Sequence, residues 1–289
     1  MSVLRAVACL LLAAPLIGCT VLENTTITPR PSGAPPPSET VRSLVLPFDA
    51  YEMTENELHA TANARDSLTR VCMNDRGHEW PVVRRPTDAP RAAHRRRYGI
   101  VEDAVAGRYG YRVPEALFDP HGVQAAQRSR DEGLAPAQQE AVHGSGGKGC
   151  ERTAFDRLNP GPRPDFDDFN RLKGDIFAVF QRSPEARAYT TAWSECMKRK
   201  GHDYRDPFAA VRDRRWSSGL SAASPARGEV RTARDDVACK ETTGLVDGWR
   251  RAEAALQNRA VEEHSDYFRA LGRAKEEQLA RVAAVNAKP

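Results

Sequence analysis

Aromatic residues, a surplus of either charge and long apolar runs are all scarce in this sequence. Phe, Trp and Tyr make up 7% of it, and 43 Lys plus Arg stand against 39 Asp plus Glu, a formal net charge of +4. A dedicated nucleic-acid binder needs a clear basic excess to collect phosphates, so that class falls away. No apolar stretch approaches the roughly 20 residues of a membrane-spanning helix, which excludes a multi-span membrane protein. There is no Cys-x-x-Cys for thiol redox chemistry, and no Gly-x-Ser-x-Gly, His-Glu-x-x-His or phosphate-loop spacing. Alternating strand patterns are missing too, apart from a candidate short edge at Ser43 to Leu46. What remains is a chain of 289 residues, 40% hydrophobic, long enough to bury a core as one large domain or two small ones.

The N-terminus carries an address. Met1 to Thr20 has one Arg, an apolar run from Ala6 to Ile17 and a small Gly18 before Cys19, the shape of an export signal. Leu16-Ile17-Gly18-Cys19 resembles the lipobox of bacterial lipoproteins, which implies a diacylglyceryl thioether on Cys19 and attachment to the outer face of the cytoplasmic membrane. A plain secretory signal with an incidental Cys19 is the alternative. Residues 1–19 therefore read as the signal, and 20–46, rich in Pro, Ser and Thr, as a disordered tether unable to offset its ordering entropy.

Four cysteines remain after the signal: Cys72, Cys150, Cys196 and Cys239. An even number in an exported chain implies disulfides, and four cysteines allow three connectivities. An internal repeat bears on the choice. Cys72-Met73-Asn74-Asp75-Arg76-Gly77-His78-Glu79-Trp80 returns as Cys196-Met197-Lys198-Arg199-Lys200-Gly201-His202-Asp203-Tyr204, and each copy is followed by one further cysteine. The simplest duplication pairs Cys72 with Cys150 and Cys196 with Cys239.

Each copy reads as a helix carrying an inward cysteine and closing on a glycine cap, with Trp80 or Tyr204 folding back onto the core. Thr54-Glu55-Asn56-Glu57 has the form of a capping box for the first helix, and Ser183-Pro184 starts the second. Phe166, Phe169, Leu172, Ile176, Phe177 and Phe180 form an apolar stripe behind Asp165, and helical spacing continues from Arg231 to Ala287 with interruptions conceivable at Gly244, Gly248 or Gly272. Arg84 to Arg97, Arg112 to Pro136, His143 to Gly149 and Arg214 to Gly228 read as loops. The expected fold is mainly α, a disulfide-stapled helical repeat of two related halves, 47–160 and 161–289, the second ending in a long C-terminal helix.

Leu46-Pro47-Phe48-Asp49-Ala50-Tyr51, the Cys-Met-x3-Gly-His motif, Tyr98-Gly99-Ile100, Arg108-Tyr109-Gly110-Tyr111 and Val237-Ala238-Cys239-Lys240 together resemble a family of uncharacterised actinobacterial lipoproteins. The likeness covers most of the chain after Leu46. It implies the lipid address and the disulfides, and it carries no catalytic residue.

Sharper chemistry is weaker than its structural counterpart at every candidate. Cys72, Met73 and His78, with Cys196, Met197 and His202, have soft donors for copper or haem, but a disulfide cysteine is no thiolate ligand. No metal or cofactor is expected. Asp165, Asp167 and Asp168, joined by Glu262 and Glu263, offer carboxyls for glycan cleavage, yet acids also favour a helix start. His143 to Gly149 mimics a phosphate cradle without the preceding strand. Arg84, Arg85, Arg95, Arg96 and Arg97 form the candidate anion-binding group, since guanidinium pairs bidentately with phosphate. The sequence thus points to a lipid-anchored, extracytoplasmic protein with a non-catalytic binding or organising role in the cell envelope. Its expected partners are the membrane and an envelope protein or anionic wall polymer. The alternatives are an envelope enzyme with a carboxylate site, or a metal- or haem-binding lipoprotein.

Overall fold

The computed structural model describes residues 25–145, 149–217 and 224–288. It is mainly helical, as expected. Two short strands, β1 (Thr26–Ile27) and β2 (Val82–Val83), pair in parallel. The helices of the N-terminal part are α1 (Glu39–Ser43), α2 (Glu55–Asp75), α3 (Asp103–Tyr109), α4 (Glu115–Phe118), α5 (Val123–Glu132), α6 (Pro136–His143) and α7 (Cys150–Leu158). They are followed by α8 (Phe166–Phe180), α9 (Pro184–Arg199), α10 (Pro207–Val211), α11 (Arg214–Ser217), α12 (Arg227–Thr243), α13 (Leu245–Glu263) and α14 (Ser265–Asn286). A 3-10 turn, Pro47–Ala50, precedes α2. Among the described residues no helix is long and apolar enough to cross a membrane.

The two motif helices begin and end as their sequences dictate. Thr54 and Glu57 cap α2 reciprocally, the Glu57 amide donating to Thr54 Oγ1 (3.2 Å) and the Thr54 amide to Glu57 Oε2 (2.7 Å). Ser183 Oγ accepts the Ala186 amide at the start of α9 (3.1 Å). At the other end, His78 N–H returns to the Met73 carbonyl and His202 N–H to that of Met197, both at 2.9 Å. The Gly77 and Gly201 amides donate to Asn74 and Lys198, also at 2.9 Å, and both glycines are left-handed, with φ of 76° and 85°. This is one C-terminal cap built twice, and only glycine adopts that backbone without strain.

The halves do not form separate cores. The largest cluster joins Leu46, Tyr98, Ile100 and Val105 to Phe180, Trp193, Met197, Val237 and Trp249. A second packs Phe48 against Phe169 and Phe268, with ring centroids 5.3 and 5.0 Å apart. Ala64 and Leu158 meet Val282 of α14 in a third. The cluster of Met73, Trp80, Val82, Leu134, Val142 and Cys150 alone stays within the first half.

Several expectations are corrected. The segment 25–46, read as a tether, is a bound strap. Its β1 pairs with β2, Arg95 and Arg108 donate to the carbonyls of Pro35 and Gly33, and Val41, Leu44 and Leu46 are buried in the largest core. The prolines that argued for disorder instead lower the entropy lost on docking. Ser43 to Leu46 is the end of α1 and its exit, not a strand. The span Arg112 to Pro136 holds α4 and α5. The run from Arg231 to Ala287 is three helices, broken at Gly244, which is left-handed with φ of 63°, and at His264. Gly248 and Gly272 lie inside helices.

Candidate functional site

Both disulfides form in the pairing that the duplication favours. Cys72 of α2 joins Cys150, the first residue of α7, and Cys196 of α9 joins Cys239 of α12, with Cα atoms 5.6 and 5.7 Å apart. Cys150 and Cys239 are fully buried, and Met73 and Met197 beside them are core residues. The sulfurs of both copies are thereby committed to structure. His202 Nε2 lies 2.9 Å from Asp235 Oδ2, and no group of three or more metal-ligating side chains occurs among the described residues.

The arginine run does not open onto an anion. Arg85 Nη1 donates to Asp66 at 2.9 Å, Arg95 Nε to Glu102 at 2.5 Å, and Arg97 Nε to Glu253 at 2.9 Å. Arg96 Nη2 donates to the Tyr111 carbonyl at 2.9 Å. Of the five candidate anion ligands only Arg84 is exposed. The reason is long-range. Acids from α2, the strap side of α3 and α13 supply counter-charges that neighbouring sequence does not contain, and a buried guanidinium needs them.

A cleft lies between the 49–97 segment and α8. It has a volume of about 640 Å³ and is walled by the 3-10 turn and α2 start (Asp49, Glu52, Glu55), the 89–97 segment (Arg91, His94, Arg96, Arg97) and α8 (Lys173, Phe177). Asp49 organises one wall. Its carboxylate accepts from the Leu46 amide (3.0 Å), contacts His94 Nε2 (2.7 Å) and pairs with Arg91 Nη1 (3.0 Å). Burial alone would raise its pKa, but the His94 hydrogen bond, the Leu46 amide and the His94 and Arg91 charges hold the carboxyl below the usual range.

A buried polar relay fixes this turn from behind. The Phe48 amide donates to Gln257 Oε1 (3.0 Å), and Gln257 Nε2 donates to Glu253 Oε1 (2.9 Å). Glu253 in turn accepts from Tyr98 Oη (2.8 Å) and Arg97. Burial and the adjacent Glu253 carboxylate push the Tyr98 phenol up. Burial works against the Arg97 charge, and Glu253 more than restores it. On the opposite wall Lys173 Nζ holds both Glu52 oxygens, at 2.6 and 2.7 Å. Asn56 clamps Ala89 of the facing segment through its amide and carbonyl, at 2.9 and 3.0 Å.

The cleft therefore presents four permanent cations against three carboxylates, nearly all already paired. Its lining hydroxyl, Thr54, is engaged as the α2 cap, and no Ser, Cys or Tyr lines it. Such a wall suits recognition of a charged or zwitterionic group by exchange of partners. The alternative carboxyl set is otherwise occupied. Asp165 caps α8 by accepting the Asp167 amide (2.8 Å), Asp168 pairs with Arg171, and Glu262 and Glu263 are exposed on α13. Asp49, Lys173 and Glu253 escaped the sequence reading because each lies in a separate element, although Asp49 falls within the Leu46 to Tyr51 motif. Cys19 and residues 146–148 of the His143 to Gly149 connector lie outside the described residues.

No protein-family model, curated protein or solved structure matches the chain.

Proposed function

We propose that the protein is a lipid-anchored, extracytoplasmic helical scaffold with a non-catalytic binding role in the cell envelope, its cleft at the junction of the halves receiving a charged group of a partner. The pair of disulfides carries this reading. Both are core-facing bridges between helices, and such bridges persist in oxidising compartments outside the cytoplasm. The Leu16 to Cys19 lipobox supplies the matching address.

The address is tested by mass spectrometry of the protein taken from its native membrane, with free thiols labelled beforehand. Acylated Cys19 and four unlabelled cysteines are the expected result. Labelled Cys72 and Cys196, or an unmodified Cys19 in the membrane fraction, would sink it. The cleft is tested by placing a photoreactive phenylalanine analogue at the exposed cleft residue Ala93 and, as a control, at the exposed α13 residue Ala255. A discrete adduct in intact membranes from position 93 alone supports binding there. Identical patterns from both positions count against it. Hydrolysis of wall material by the purified protein, abolished by Asp168→Asn without unfolding, would favour the enzymatic alternative instead.

A further inference from the structure

We infer that the β1–β2 face, bearing Arg30 and Arg84, docks on the anionic headgroups of the membrane to which the chain is anchored. The inference rests on the Cys19 anchor proposed above. Three observations lead to it.

The first is reach. Only five residues separate Cys19 from Thr25, which the folded body already holds through Val82 and Glu79. Six residue steps extend at most about 20 Å. A folded body of this length is roughly 45 Å across. A leash shorter than half that diameter holds one face to the bilayer and keeps the opposite face away. Had 20–46 been a free tether, it would have allowed every orientation.

The second is where the leash enters. The Val82 amide donates to the Thr25 carbonyl and the Arg84 amide to that of Ile27, both at 3.0 Å, and Thr25 Oγ1 meets Glu79 Oε1 at 2.5 Å. Further along the strap, the Arg30 backbone rests on Gly122, whose added Cβ would lie 2.0 Å from the Arg30 carbonyl oxygen. The entry point is thus a fixed feature of the folded surface.

The third is charge. Arg30 and Arg84 are exposed beside this strand pair, and neither side chain has a carboxylate partner among the described residues. Every other member of the arginine run that includes Arg84 is engaged internally. Two free guanidinium groups next to a membrane leash match phosphate headgroups, each contributing roughly fivefold to surface partition. Of the acids nearby, Glu79 is engaged with Thr25 and Asp131 of α5, the helix packed on β2, with Arg130, while Glu132 of the same helix is exposed.

The test is hydroxyl-radical footprinting of the full lipidated protein in phosphatidylglycerol vesicles, in phosphatidylcholine vesicles and in detergent, with the Cys19 adduct confirmed by mass. Peptides covering 25–30 and 79–84 should be modified several-fold more slowly in phosphatidylglycerol than in detergent, and less protected in phosphatidylcholine. Arg30→Glu with Arg84→Glu should abolish the protection while near-ultraviolet circular dichroism stays unchanged. Acylated protein lacking that protection, or keeping it in the double variant, overturns the docking and leaves the anchor standing. Absence of an acyl group on Cys19 overturns both.

Discussion

At Asp66 one carboxylate, 4% exposed, accepts from Trp80 Nε1 (3.4 Å), the Val83 amide (3.3 Å), Arg85 (2.9 Å) and Arg130 (3.1 Å), while Arg130 also lies over the Trp80 ring. Replacing it by Asn keeps the shape but leaves buried Arg85 without a counter-charge and Arg130 with Asp131 alone, a loss of about 3–5 kcal/mol. Asp247→Asn removes surface pairs with Arg250 and Arg251 and should shift stability by less than about 1 kcal/mol. Urea midpoints with an unchanged m-value separate the two outcomes. Asp236 is the counterpart in the second half, accepting from Trp193 Nε1 (2.9 Å) and pairing with Lys240 (3.0 Å). Burial pushes its carboxyl up and the Lys240 ammonium down, against their mutual attraction. At Asp49 the partners win, so its folded pKa lies below the ordinary 3.8. A depressed carboxylate stabilises the fold above its unfolded pKa and loses that contribution as pH falls through the folded one. The stability gap between wild type and Asp49→Asn should therefore be full at pH 5 and close progressively below about pH 4. A gap that widened on acidification would refute the assignment.

At the scale of elements, the repeated cap gives a matched pair of tests. A Cβ on Gly77 or Gly201 meets nothing within 4 Å, so alanine there is opposed by backbone conformation alone. Gly77→Ala and Gly201→Ala should each destabilise by about 1–2 kcal/mol and agree closely, as read from thermal or urea unfolding. Gly248 is the contrast. Its Cβ would sit 2.2 Å from the Tyr189 ring, where α13 crosses α9. The helix propensity gained by alanine, up to about 1 kcal/mol, is outweighed by overpacking of about 1–3 kcal/mol. The cap glycines were legible in the sequence because cap chemistry is local: a cysteine, a methionine and a glycine at fixed spacing define it. Gly248 was legible only as a weak point, since Tyr189, which makes it small by necessity, lies 59 residues earlier. The same locality explains the strap. Pro35 to Pro37 show a chain that avoids helix and strand, but nothing nearby shows that Arg95 and Glu102 will bind its backbone. The arginine run failed for that reason too, its carboxylates being set by topology rather than by neighbouring residues.

For the whole molecule, two kinds of tie act on different partitions. Each disulfide closes a loop inside one half, 78 residues for Cys72–Cys150 and 43 for Cys196–Cys239. On the chain-entropy model each stabilises by about 4 kcal/mol, the longer loop by about 0.5 kcal/mol more. Cys72→Ala with Cys150→Ala should thus lower stability slightly more than Cys196→Ala with Cys239→Ala. Contacts between the halves are of another kind: Arg97 with buried Glu253, Lys173 with Glu52, Arg234 with Asp103, and Phe48 between Phe169 and Phe268. Splitting the chain at 160 would expose Trp249, Phe169 and Phe268 on one fragment and Tyr98, Ile100 and Phe48 on the other, all of them buried in the intact protein. It would also leave Glu253, fully buried, without Arg97 and Tyr98. The full chain should unfold in a single transition, and fragments 47–160 and 161–289, each with its disulfide intact, should lack both its near-ultraviolet circular dichroism and cooperative unfolding. A fragment that unfolded cooperatively by itself would mean that the duplicated caps and their bridges suffice to fold a half, and that the cleft between them is an interface between independent units rather than part of one core.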